Sequence, residues 1–205
     1  MGTQKLKITS MIVGGGKGTI SFDAYLTDMS QTLDSTWNTT EVFGRNDPIA
    51  TFAGTKRSIS IAFDVPAGDL KQAKENLKKC GKFASFLYPG YNTTKTVAGH
   101  HGTGAQKKPI IVETGKYVSR PPLIKIRFAN LIKSYKGGGL LGFVDSLSFN
   151  PVIEAGMFSD GSNLYPRTIS LSFGFTVLHQ EEVGFKIDKK GKIKWMPGSR
   201  KLPFN

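Results

Sequence analysis

Cysteine is almost missing from this chain. Cys80 stands alone, which excludes an internal disulfide and leaves no thiol cluster for a structural zinc. Histidine is scarce too, with His179 and the adjacent pair His100–His101 as its only representatives. Adjacent side chains on an extended segment point apart, and no Asp or Glu lies within ten residues of the pair, so no metal site is expected there. Long apolar runs are absent: nothing approaches the roughly 18 residues of a membrane helix. Met1–Leu6 has no apolar run suited to a signal peptide, and Leu6 stands where a myristoylation signal needs Ser or Thr. A soluble protein without a membrane partner is the expectation. Acidic residues are few, 15 Asp+Glu against 28 Lys+Arg, and no pair of carboxylates stands out for acid–base work. A Gly-x-Ser-x-Gly elbow is missing as well. Neither an enzyme nor a cofactor is expected.

Aromatic residues and turn formers are plentiful. Fourteen Phe supply large buried areas, and 24 Gly with 10 Pro imply the many turns of a mainly β protein rather than a helical bundle. The net charge of +13 is uneven. Met1–Gly68 balances six basic residues against six acids, Asp69–Lys136 carries fourteen against three, and Gly137–Asn205 eight against six. The middle third should therefore attract nucleic acid, an acidic protein face or a phosphorylated surface.

Strands are expected near Lys5–Val13 and Thr19–Thr27, joined by Gly14–Gly18 and followed by a polar loop at Asp28–Thr36. Strict alternation marks Arg57–Val65, where Ile59, Ile61, Phe63 and Val65 share one face. The spacing then turns helical over about residues 69–88. Asp69 serves as N-cap, Gln72 completes a capping box, and Leu70, Ala73, Leu77 and Phe83–Ala84 form the apolar stripe. Lys71, Lys74, Lys78, Lys79 and Lys82 fall largely off that stripe, and Pro89 stops the helix. Phe83, Phe86, Tyr88 and Tyr91 lie on or near the apolar side and read as core. Asn92–Lys108 lacks periodicity and reads as a long loop. Further strands fit Ile110–Thr114, Leu123–Ile132, Leu140–Phe149 and Arg167–His179. The last of these sets Ile169, Leu171, Phe173, Phe175 and Val177 against small uncharged residues, as suits a face covered by another subunit or one open to solvent. One domain is expected over 1–184, then a hairpin and extended basic tail over 185–205.

Gly14–Thr19 is not a phosphate loop, because Gly18 follows Lys17 and a strand rather than a helix comes next. The sequons at Asn38 and Asn92 are read as chance matches.

One stretch carries a family likeness. Trp37–Ile49 contains Phe43-Gly44-Arg45-Asn46-Asp47-Pro48-Ile49 and runs into Phe52–Arg57. Leu87–Tyr91, Pro121–Leu123, Gly142–Val144, Leu164–Arg167 and Val177–His179 follow in order. Over about Trp37 to His179 this resembles the tube initiators in the baseplates of contractile-tailed bacteriophages, rings that join the central hub to the tail tube. The resemblance implies a tail-tube-like β-sandwich or partial barrel with one flanking α-helix. It implies a structural virion protein of the tail baseplate, made in the host cytoplasm. A hexameric ring would nucleate the tube, contact the tail tube protein and the hub and wedge proteins, and pass DNA through its channel without binding it specifically. Interface residues under this reading are Arg45 and Asp47, Lys71, Lys74, Lys78 and Lys79, and Lys192, Lys194, Trp195 and Arg200. Arg45 and Asp47 would pair within their turn or across a subunit boundary, and the helix lysines would meet an acidic neighbour. Asn92–Lys108 and Met196–Asn205 would order only on assembly. The alternative reading is a basic nucleic-acid-binding β domain.

Overall fold

Alternation decides where the sheet forms. In the computed structural model, which describes residues 5–13, 18–101 and 108–199, Ile59, Ile61, Phe63 and Val65 are buried while Ser58 and Ser60 are not. The chain is mainly β with one α-helix among the described residues. Its strands are β1 (Lys5–Ser10), β2 (Thr19–Asp23), β3 (Tyr25–Thr40), β4 (Ile49–Pro66), β5 (Gly90–His101), β6 (Lys108–Arg120) and β7 (Ile124–Phe128). They continue with β8 (Leu140–Pro151), β9 (Met157–Asp160), β10 (Asn163–Pro166), β11 (Thr168–Val177), β12 (Phe185–Ile187) and β13 (Ile193–Trp195). The helix α1 covers Leu70–Ser85.

Seven strands form one antiparallel sheet in the order β2-β1-β7-β8-β11-β4-β3. Its two edges, β2 and β3, are separated in the chain by Ala24 alone. Seven strands laid flat would hold their edges roughly 29 Å apart, at about 4.8 Å per step. The two residue steps from Asp23 to Tyr25 reach at most about 7 Å. The sheet therefore curls until its edges meet at that corner.

Curling gives the sheet an inner face, and α1 packs against it. Phe83 is fully buried, its ring centre 5.4 Å from that of Phe173 and 6.5 Å from that of Phe22. Phe63 completes this aromatic cluster at 5.6 Å from Phe22. A single hydrophobic core joins residues from Leu6 to Val177, and the C-terminal hairpin β12–β13 contributes nothing to it.

The helix starts where its caps allow. The Gln72 backbone N–H donates to Asp69 Oδ1 at 2.6 Å, an N-cap bond typically worth about 1 kcal/mol. The returning bond of the expected capping box lands one residue early, because the Gly68 N–H, not that of Asp69, donates to Gln72 Oε1. The helix ends at Ser85 rather than near residue 88, with Phe86 as C-cap three residues before Pro89. Its buried stripe is also rotated from the expected one: Ala73, Asn76, Cys80 and Phe83 are buried, while Leu77 is exposed. Asn76 can go inside because its Nδ2 donates to the Pro66 carbonyl at 3.1 Å.

Two expected loops are strands. Asp28–Thr36 lies within β3, which pairs residue by residue with β4 out to Thr40 and Ile49. Beyond Arg57 this pair leaves the core as a solvent-exposed arm, so its side chains needed no apolar face. Most of Asn92–Lys108 likewise belongs to the β5–β6 ribbon, with Asn92 opposite Tyr117 and His101 opposite Lys108. Backbone pairing and hydroxyl bonds such as that between Thr96 and Thr114 at 2.7 Å hold that ribbon without a buried face, which is why no periodicity announced it. The strand expected at Leu123–Ile132 stops at Phe128, where Ala129 takes a positive φ of 43° and Phe128 bridges back to Ile132. The hairpin β9–β10 was not foreseen. Gly14–Lys17, residues 102–107 and residues 200–205 lie outside the described residues. No described helix is long and apolar enough to cross a membrane.

Candidate assembly surfaces

Paired strands that leave the core must present both faces to something. Three such hairpins project from this fold, and most of the exposed large apolar side chains sit on them. The β3–β4 arm carries Leu33, Trp37, Phe43, Ile49 and Phe52. The β5–β6 ribbon exposes Tyr91, Val97, Ile111, Tyr117 and Val118, and β12–β13 exposes Phe185, Ile187, Ile193 and Trp195. Isolated exposed apolar residues are ordinary, but clusters on projecting elements mark contact surfaces.

The arm ends in the turn that the sequence singled out. The Arg45 N–H donates to the Val42 carbonyl at 3.2 Å, and Gly44 takes a φ of 84°, where an L side chain is strained. Trp37 and Phe52 brace the arm behind it, edge to face at 5.2 Å. Arg45 and Asp47 are both exposed and form no ion pair with each other among the described residues. Pairing within the turn is thereby corrected: the backbone hydrogen bond and Gly44 hold it, and both side chains are exposed.

The lysines of α1 do share one side of the helix, and they have different surroundings. Lys71 and Lys78 are exposed, and Lys79 is partly covered. Lys74 bonds to Asp160 of β9 and lies over the Tyr165 ring, an arrangement that raises its pKa through the hydrogen bond first. Lys82 donates to the Thr19 carbonyl at 3.4 Å. Tyr88 and Tyr91, expected in the core, are exposed, whereas Phe83 and Phe86 are buried. The helix ends before Tyr88 and Tyr91, so they are free of its buried stripe.

In the C-terminal hairpin, Phe185 faces Trp195 at 5.8 Å with Ile187 opposite Ile193, while Lys186 and Lys194 alternate onto the other face. Asp188 closes the turn by accepting from the N–H groups of Lys190 and Lys192, each at 2.9 Å. Arg200 lies outside the described residues. The described part of the tail is not extended: Pro197–Ser199 forms a 3-10 turn, and the Gly198 N–H donates back to the Glu182 carbonyl at 3.1 Å.

Between the sheet and the final segment lies a cleft of about 40 Å³ beside Arg57, Tyr135, His179 and Glu181. Room for roughly one water is all that volume offers. Arg57 is buried and donates to Gln31 Oε1 at 2.9 Å. Partial desolvation, then the Arg57 charge, holds His179 below the ordinary imidazole range. Among the described residues no three His, Cys, Asp or Glu side chains converge as metal ligands.

Burial pushes the Cys80 thiol up to about 11. Its proton is kept in the folded chain and lost first in the unfolded one, so this group's contribution to stability falls as pH rises from about 9 toward about 11. We expect Cys80 to resist a thiol reagent in the native protein at pH 8 and to react once urea unfolds the chain. Immediate native labelling would contradict the burial.

No family model matches the chain, and a search of curated proteins finds no match.

Proposed function

We propose that this chain is a ring-forming structural subunit rather than an enzyme, placed at the baseplate end of a contractile phage tail between hub and tube. The sequence resemblance over Trp37–His179 supplies the class. The observation that carries the reading is a sheet section with two free edges. β8 pairs with β7 only through Leu140–Gly142, whereas β11 continues beside it to Pro151. Over that length the order is β8-β11-β4-β3, and among the described residues no strand covers the outer side of Phe143–Asn150 or of β3. Exposed edges of this length are a liability in a monomer. Pairing β3 of one copy with β8 of the next removes both and closes the copies laterally by heterologous contacts.

The face between these edges suits a channel wall. Ser30 lies beside Ser60, Ser60 beside Gly174, and Gly174 beside Ser146. The next row holds Asp28, Ala62, Ser172 and Ser148. Lys and Arg do not occur in these rows, and a wall without cations gives phosphates nothing to hold. In a hexameric ring the four-stranded sections would give a circumference of about 115 Å at about 4.8 Å per strand, hence a bore of about 27 Å once side chains are subtracted. The curled sheet with one helix against it fits the partial barrel that the resemblance implies.

Light scattering and negative-stain microscopy of the full chain, alone and with candidate tube and hub proteins, test this. Rings are expected, and a strict monomer with all of these partners would overturn it. The basic side of α1 is assigned to an acidic neighbour. Changing Lys71, Lys78 and Lys79 to Glu should leave the thermal midpoint within about 2 °C, since exposed charges contribute little to folding, and should abolish co-assembly. Lys74 is left out of this variant because it is bonded to Asp160. Normal co-assembly of the variant would remove the lysines from the interface.

A nucleic-acid-binding role has one observation in its favour, the exposure of Tyr88 and Tyr91 beside this basic segment. Tight DNA binding by a monomer, weakened by Tyr88→Ala and Tyr91→Ala, would favour it over the ring.

A further inference from the structure

Phe43 stands wholly in solvent at the tip of the β3–β4 arm, and Val42 beside it is also exposed. Among the described residues nothing covers Phe43. An open groove of about 690 Å³ runs along α1, walled by Leu77, Gly81 and Ala84 on the helix side and by Phe149, Leu164 and Ile169 on the other. Leu77 and Leu164 remain exposed although they face it. A concavity of this size and character is of the kind that takes up an apolar group.

Tip and groove sit at opposite ends of one strand. Ile169 pairs with Val65, close to where β4 leads into α1, whereas the tip lies beyond Ile49 at the other end. The strand between those two β4 residues spans about 50 Å. The arm cannot reach the groove of its own chain unless β4 doubles back, and its register with β3 continues to the tip. The charges are complementary as well. Lys74 and Lys78 follow the helix edge next to Leu77 and Gly81, and Arg167 adjoins Pro166 on the far side, against Asp160, which pairs with Lys74, and Glu154, which lies between Pro151 and Met157. Glu41 and Asp47 flank the tip, against Arg45 alone.

We propose that Val42–Phe43 at the arm tip of one copy inserts into the α1 groove of a second copy, joining copies head to tail along the strand axis. Each chain carries one tip and one groove, so the contact is heterologous. It rests on the self-assembly reading above and adds an axial contact, separate from the lateral β3–β8 pairing.

Benzoylphenylalanine placed at Phe43 in the full chain reports the contact directly. Irradiation of the concentrated protein should give dimers and higher multimers whose cross-linked peptides fall within Leu77–Ala84 or Phe149–Ile169. Cross-links elsewhere, or none, would overturn the proposal. Gly81→Leu supplies the second arm, because a Cβ at Gly81 meets nothing within 4 Å and the new side chain fills the groove without disturbing its own chain. Its thermal midpoint should be unchanged or higher, while cross-linked multimers should drop about tenfold; undiminished multimers would count against the groove. The two readings fail separately. Rings without these cross-links would leave the lateral assembly standing and remove the axial contact. Cross-linked chains without rings would do the reverse.

Discussion

Phe83→Ala should be among the most damaging single substitutions in this chain, costing about 3–5 kcal/mol. The ring is fully buried, and its centre lies 6.5 Å from that of Phe22 of β2 and 5.4 Å from that of Phe173 of β11. Those strands approach each other only because the sheet curls, so Phe83 fills the space that the curl encloses. Its neighbours cannot collapse into the gap. Phe22 and Phe173 belong to hydrogen-bonded strands, and the edge-to-face contact at 5.4 Å, interplanar angle 87°, would simply be lost. Domains of this size have a total stability of about 10–15 kcal/mol, so the loss approaches a third of it. Urea unfolding should show a lower midpoint with the slope retained. A change below about 1 kcal/mol would mean that α1 does not close the curled sheet.

The parts of the fold that were legible beforehand share this core. Arg57–Val65 and Thr168–Val177 alternate because one face is buried and the other is not, and periodicity reports that difference directly. Asp69 and Gln72 announced the helix start because capping is local chemistry. β5 and most of β3 and β6 were hidden for the same reason that makes them interesting. They leave the core, so both faces are open and no burial pattern is imposed on their side chains. The β-branched content of Thr93, Thr94, Thr96 and Val97 was the one signal available for β5.

The candidate surfaces divide in the same way. The turn at Phe43–Pro48 and the lysines of α1 were readable, because each is a contiguous or helically spaced set. The groove on α1 was not. Its walls come from α1, β8, β9, β10 and β11, and its existence depends on Leu77 turning outward when Asn76 finds the Pro66 carbonyl. The free edge of β8 was equally invisible, since it follows from β7 being shorter than β11. Both features that support assembly are thus products of unequal element lengths and of one buried polar contact.

Gly142→Ala tests the point where that free edge begins. Gly142 pairs with Ile124 on one side and Val177 on the other, the last position at which β8 has two partners. A Cβ there would lie 2.6 and 2.9 Å from two atoms of the Phe175 ring and would press into the backbone carbonyl of Thr176. Neither can retreat. Phe175 is buried in the core, and the Thr176 carbonyl belongs to the backbone of β11. Overpacking of this kind costs about 1–3 kcal/mol and more when backbone must shift, so about 3 kcal/mol is expected. Gly54→Ala is the matched control: it lies on the exposed arm, and an added Cβ meets nothing within 4 Å. That variant should be neutral or slightly stabilised, by up to about 1 kcal/mol. Urea midpoints separate the two, and light scattering adds the functional half. Displacing β8 from β11 at Gly142 should also remove the edge on which lateral pairing depends, so ring formation should fail in Gly142→Ala under conditions where the chain is still folded. Rings formed normally by a destabilised Gly142→Ala would show that the copies close by some contact other than the β3–β8 edges.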